Sequence, residues 1–260
     1  MNRNSTLLIV ICVVVVGQIL AGCIGSISVG EKEAAKVESL TTDELSAKEL
    51  PEDEFSCAMN PERDYLIVVN DDNPYDFEGE YNHLLQDDLV YVADVLTGDR
   101  TPVEKAAYYA FTELQYALDQ KGMRIGLYSA YRTEEDQQAV CDYYGSLEDW
   151  ADKNKIAKPG YSEHHTGLLL NILIYWPDEN GEMVWHTETA ERQVSISEFK
   201  VVHETLADYG FIDRYPEGKE PETGYPCEPY EIRFVGSSKV AHEIMDNGLC
   251  LEEYLKQKNN

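Results

Sequence analysis

The period of apolar and polar residues changes several times along this chain, and each change marks an element. Tyr65 to Asn70 (YLIVVN) is an apolar run closed by Asp, Asn and Pro, which predicts a short buried strand. Leu89 to Val95 is a looser apolar segment. Thr101, Pro102 and Glu104 then carry a helix-start signature: a threonine cap, proline in the first turn, and glutamate three residues past the cap. Val103, Ala107, Ala110, Leu114 and Leu118 fall on one helical face that stops at Gly122. Arg124 to Ala130 reads as a strand, and a second helix runs from Thr133 to Gly145. Leu168 to Trp176 and Met183 to Trp185 flank Asn180 and Gly181, a strong hairpin signal. Ser195 and Glu198 form a capping box for a helix whose Phe199, Val202, Leu206 and Tyr209 face the core until Gly210. Tyr230 to Gly236 is the last strand, followed by helices from Ser238 to Asp246 and from Leu251. Strands and helices do not alternate regularly, so the expected class is α+β, a central antiparallel sheet with flanking helices.

One stretch concentrates chemistry. Pro159 to Asn171 (PGYSEHHTGLLLN) joins a turn, a serine, two adjacent histidines and a glycine to the start of a strand. In one straight strand His164 and Asn171 would stand about 23 Å apart at roughly 3.3 Å per residue, too far to share a ligand. They converge only if the chain folds back, and Gly167 supplies that option because glycine enters left-handed conformations freely.

Charge and targeting narrow the setting. With 260 residues and a formal charge of -28, the chain lacks the clustered cations that bind phosphate backbones, so a nucleic-acid partner is excluded. Residues 1–22 contain Arg3, an apolar run from Leu7 to Val16 and a small-residue ending, as a secretory signal does. Leu20-Ala21-Gly22-Cys23 resembles a bacterial lipobox, in which Cys23 is lipidated and anchors the mature protein to a membrane; the alternative is an uncleaved anchor. Either reading puts the body outside the cytoplasm. Residues 23–56 read as a flexible tether and 57–260 as the folded domain. Cys57, Cys141, Cys227 and Cys250 remain there, an even number compatible with two disulfides in any of three pairings, and no Cys-x-x-Cys is present.

Five blocks in order carry a resemblance: SAYR (129–132) with Gln137, PGYSEHHTG (159–167), YGFIDRYP (209–216), EPYEIRFVG (228–236) and LEEYL (251–255). Together they resemble the VanY-type D-alanyl-D-alanine carboxypeptidases, zinc peptidases that trim the terminal D-alanine from peptidoglycan stem peptides. The likeness spans about Tyr65 to Leu255 and implies that family's α+β core. It also implies roles. His164 falls on the first zinc ligand and Glu228 on the general base, while Arg132, Gln137 and Ser162 fall on positions lining the peptide cleft. At the second ligand the family's aspartate is replaced by Asn171, and at the third its histidine is replaced by Glu231. Leu169 for alanine and Tyr230 for tryptophan are further departures.

Two readings follow. Zinc lowers the pKa of its water to about 7 and polarises a carbonyl, and replacing two of three donors implies that ordinary zinc catalysis is lost while a peptide cleft remains. Against this, His164, Asn171 and Glu231 keep the family's formal charge of minus one, and a nitrogen with two oxygens suits a harder cation such as manganese, giving an altered metallopeptidase. His165 is expected to be exposed. His83, His186, His203 and His242 have no ligand-like spacing and are expected at the surface or as satisfied core residues.

Overall fold

The computed structural model describes residues 54–145, 155–177, 180–186 and 197–259. The proposed signal, the Cys23 lipidation site and the Ser195 cap lie outside them, as does nearly all of the tether. Among the described residues no helix is long and apolar enough to cross a membrane. In chain order the elements are α1 (Glu80–Asp87), β1 (Leu89–Ala93), β2 (Arg100–Glu104), α2 (Lys105–Gln120), β3 (Ile125–Ser129) and α3 (Glu134–Gly145). They continue with β4 (Leu169–Pro177), β5 (Met183–His186), α4 (Ser197–Leu206), β6 (Phe211–Asp213), α5 (Glu220–Thr223), β7 (Glu231–Phe234), α6 (Ser238–Met245) and α7 (Leu251–Lys258).

The main sheet has the order β3-β4-β7-β6, with β5 also pairing β4, and every pairing is antiparallel. The expected α+β class with a central antiparallel sheet is therefore what forms. The period-2 rule sorts its two faces. Leu170, Ile172 and Ile174 of β4 and Ile232 and Phe234 of β7 join the main core, where they meet Ala107, Ala110, Leu114 and Leu118 of α2 and Phe199, Val202 and Leu206 of α4. The alternate residues, Leu169 and Asn171 of β4 with Glu231 and Arg233 of β7, belong to the opposite face. The register sets Leu169 against Arg233 and Asn171 against Glu231. A second cluster, from Ile212 and Val235 to Ala241, Ile244, Leu251 and Tyr254, seats α6 and α7.

Four expectations need correction. Tyr65 to Asn70 is not a strand: Tyr65 and Val69 are buried and the rest half-buried, but the carbonyls of Tyr65 and Ile67 accept hydrogen bonds from the Arg233 guanidinium, at 2.9 and 3.0 Å, instead of pairing with a neighbouring strand. Thr101 and Pro102 belong to β2, opposite Val92 and Tyr91, and the true cap of α2 is Glu104, whose carboxylate accepts from the Ala107 N–H at 2.7 Å. Phe55, assigned to the tether, is buried against Phe234, so ordered structure begins before Cys57. No disulfide joins Cys57, Cys141, Cys227 and Cys250 in the structure.

Candidate active site

The site begins where the chain folds back. Glu163–Thr166 form one 3-10 turn, closed by Gly167 at φ 72°. A Cβ at Gly167 would come within 3.1 Å of Leu85 Cδ1 and 3.2 Å of Glu104 Cβ, so position and packing both demand glycine. The reversal brings His164 to the same cleft as Asn171 and Glu231 on the strands behind it. That cleft encloses about 470 Å3 and is lined by Arg132, Gln137, Ser162, His164, Asn171, Glu228 and Glu231. Tyr128, Tyr215, Tyr225 and Tyr230 complete much of the wall. All seven residues singled out from the sequence are therefore brought together.

At its inner corner the polar groups do not all find partners. His164 is buried, its Nδ1 facing the Ala130 carbonyl at 2.5 Å and its Nε2 standing 3.5 Å from Glu231 Oε1. A nitrogen facing a carbonyl carries the proton, so Nε2 holds the lone pair, an assignment made from hydrogen bonding. Asn171 donates from Nδ2 to the Tyr128 hydroxyl at 3.1 Å. Among the described residues, His164 Nε2 and Asn171 Oδ1 are buried without a hydrogen-bond partner. Burial first, and the nearby Arg132 cation second, hold the His164 pKa below its usual value. For Glu231 burial acts upward, but its surroundings, chiefly the contact with His164 and the Arg132 cation, outweigh it and hold its pKa below the usual carboxylate value. Glu228 moves the other way. Burial and the neighbouring Glu231 charge raise its pKa well above the carboxylate range.

Arg132 projects into the cleft on a fixed mount. Its Nε and one terminal nitrogen donate to Ser129 Oγ at 3.1 and 3.0 Å, and the other terminal nitrogen donates to Gln137 Oε1 at 3.2 Å. Gln137 in turn donates to the Ala157 carbonyl at 2.8 Å. Ser162 is buried at the head of the 3-10 turn without capping it through its side chain.

Behind the cleft lies a cluster that the sequence did not announce. Glu163 accepts from Arg214 Nε at 2.7 and 2.8 Å and from Arg233 at 2.6 Å, and Arg214 continues to Glu252 at 2.7 and 3.1 Å. Glu163, Arg214 and Arg233 are buried, and burial alone would push the Glu163 carboxyl up, yet the two guanidinium groups hold it below its usual range. One residue comes from each of the last four sequence blocks that carried the resemblance. Their partners lie 38 to 70 residues apart, beyond any spacing rule; the only signal was an acid inside the histidine turn and a lone arginine in each strand block. His165 is also corrected: it is fully buried, stacked near Phe77 and Tyr75. Of the other histidines, His83 is exposed, His203 contacts Asp213 and the Pro229 carbonyl, and His242 contacts Asp208 and Asp246.

The arrangement can be tested for zinc through its donor chemistry. An imidazole and a carboxylate 3.5 Å apart suit a shared ion, but the third group is a neutral carboxamide, a weak donor for zinc. Among the described residues no group of three His, Cys, Asp or Glu side chains is arranged to hold a metal. The residues present do not fit a catalytic zinc held by three strong donors.

A sequence profile of the VanY family, D-alanyl-D-alanine carboxypeptidase, matches residues 100–237. The chain is 33% identical over 208 residues to the putative carboxypeptidase YodJ of Bacillus subtilis, covering 79% of this chain and 71% of that protein. Among solved structures it resembles the LdcB LD-carboxypeptidase, described for its peptidoglycan recognition, with a TM-score of 0.58, 29% identity and coverage of 74% and 86% of the two chains. It also resembles a VanY D,D-pentapeptidase from a VanB-type vancomycin-resistance cassette, solved with Zn(II), with a TM-score of 0.54, 29% identity and coverage of 74% and 98%. On these grounds the chain belongs to the VanY family of D-alanyl-D-alanine carboxypeptidases.

Proposed function

We propose that this protein is an extracytoplasmic lipoprotein, anchored through Cys23, whose domain binds D-alanine-terminated stem peptides of peptidoglycan without hydrolysing them by the zinc route of its relatives. The observation that carries this reading is the strand register: Asn171 and Glu231, the two replaced positions, stand directly opposite each other on the cleft face, with His164 3.5 Å from Glu231. Glu228, at the position of the general base, has its pKa raised by burial and the Glu231 charge, which disfavours the ionised form that a general base uses.

The binding half of the cleft supports the rest. The Arg132 fork, braced by Ser129 and Gln137, is placed to pair with a peptide's terminal carboxylate, and the tyrosine walls offer apolar faces to small side chains. Ser162 lies against the same peptide path. The family likeness and the peptidoglycan recognition attributed to LdcB supply the ligand class.

A second reading is favoured by one observation. The orphaned His164 Nε2 and Asn171 Oδ1, beside an ionised Glu231, form a nitrogen and two-oxygen cradle of net charge minus one, suited to a hard divalent cation held weakly. Elemental analysis of the purified protein, together with D-alanine release from a stem-peptide mimic, decides between the two. About one zinc or manganese per chain, with release abolished by Glu228→Gln, would overturn the non-catalytic reading; peptide binding with no bound metal and no release is the expected result. Labelling of the wild type but not Cys23→Ala by a fatty-acid probe tests the anchor.

A further inference from the structure

His165 has no assigned part in the site, and its surroundings give it one. The ring is completely buried, with Phe77 4.9 Å and Tyr75 5.6 Å away between centroids. Its Nε2 accepts the Gly160 N–H at 3.0 Å. A backbone N–H only donates, so Nε2 must carry the lone pair and Nδ1 the proton. Nδ1 then donates to the Arg132 carbonyl at 2.7 Å. The neighbouring imidazole repeats the contact, His164 Nδ1 meeting the Ala130 carbonyl at 2.5 Å, and the Arg132 N–H returns a hydrogen bond to the His164 carbonyl at 3.2 Å.

Residues 130–132 are thus pinned three times by two consecutive histidines. Gly160, which orients the His165 ring, is itself fixed by its carbonyl, which accepts from the Tyr75 N–H at 2.7 Å. A side chain whose backbone is pinned on this scale keeps its far end in place, while a loose backbone spreads the guanidinium over several rotamers.

We propose that His165 is a positioning residue: through its Nδ1–H bond to the Arg132 carbonyl it sets the aim of the Arg132 guanidinium, and with it the preference of the cleft for a free carboxylate. The contribution to peptide recognition rests on the functional reading above; the contribution to Arg132 geometry does not. His165→Phe keeps the apolar packing against Phe77 and Tyr75 and removes both polar contacts. His165→Gln keeps one donor and one acceptor.

Hydrogen exchange at arginine Nε–H groups, followed by NMR, separates positioning from general loosening, because three buried or half-buried arginines each donate that hydrogen to a known acceptor. Arg132 donates to Ser129, Arg214 to Glu163 and Arg233 to the Phe234 carbonyl. In His165→Phe the Arg132 Nε–H is expected to exchange about tenfold faster, Arg214 and Arg233 staying as in the wild type, and His165→Gln to restore most of the protection. Should the Phe variant not fold, His165→Leu, which likewise has no polar side-chain atom, carries the same expectation. Unchanged exchange at Arg132, or acceleration at all three arginines together in the folded variant, overturns the proposal. Calorimetry with a D-alanyl-D-alanine peptide and its C-terminal amide adds the functional arm: the wild type prefers the acid and His165→Phe loses that preference. No preference in the wild type would count against the binding reading alone, since the exchange result stands by itself.

Discussion

Two neighbouring rungs of one sheet face have opposite characters. At Leu169 and Arg233 the face opens onto the buried cluster in which Glu163, Arg214, Arg233 and Glu252 satisfy one another with short, charge-assisted bonds. At Asn171 and Glu231, two residues along, a carboxamide oxygen and an imidazole nitrogen are buried without a hydrogen-bond partner among the described residues. The contrast separates what holds the site together from what it does. The ionic cluster ties the histidine turn to β7, α7 and Arg214 after β6, whichever donors line the corner.

This contrast can be broken or sharpened by substitution. The largest effect is expected from Glu163→Gln, which leaves two buried guanidinium groups short of a counter-charge and should cost about 3–5 kcal/mol in denaturant unfolding. A loss under about 1 kcal/mol would show that the cluster does not carry the scaffold. Next comes Arg132→Ala. Charge-assisted bonds are worth about 1.5–3 kcal/mol, so affinity for a D-alanyl-D-alanine peptide should fall roughly 10- to 100-fold, with unfolding little changed. Equal binding by the variant would remove Arg132 from recognition.

Asn171→Ala tests the other rung. Its oxygen has no hydrogen-bond partner among the described residues, and the Nδ2 bond to Tyr128 is a neutral one, so the cost should be about 1 kcal/mol by the same unfolding assay. A penalty comparable to that of Glu163→Gln would erase the distinction.

The smallest effect concerns pH. Burial opposes the charged imidazole of His203, but Asp213 at 3.2 Å and the Pro229 carbonyl at 2.7 Å outweigh it and raise its pKa. A raised folded value means the stabilisation is complete below the unfolded pKa of about 6.5 and disappears as pH rises through the folded one. Wild-type stability should therefore exceed that of His203→Gln by about 1 kcal/mol at pH 5.5, the difference closing in alkaline buffer. A difference that grows with pH would reverse the assignment.

How far the sequence could be read follows from the range of each interaction. The apolar runs of β4 and β7 make the strands legible, and Gly167 marks the reversal that brings His164 back to Asn171, because both signals are local. The start of α2 misled: Thr101-Pro102 has the composition of a cap, but pairing with β1 claims those residues and leaves Glu104 to close the helix. Tyr65 to Asn70 misled in the same way, since its hydrogen-bond acceptors are filled by Arg233, a residue far along the chain. The sequence suggests a surface position for His165 because adjacent histidines in a polar turn give no sign that Tyr75 and Phe77 cover one of them. The residues that block order brings forward line one cleft; the cluster that braces them is invisible in the sequence because every contact in it is long-range.

The central claim is that the cleft recognises its peptide without a metal, and calorimetric titration of a D-alanyl-D-alanine peptide into chelator-treated protein tests it most directly. The account predicts the same dissociation constant before and after chelation. Binding that disappears with the chelator and returns on adding zinc or manganese would contradict it.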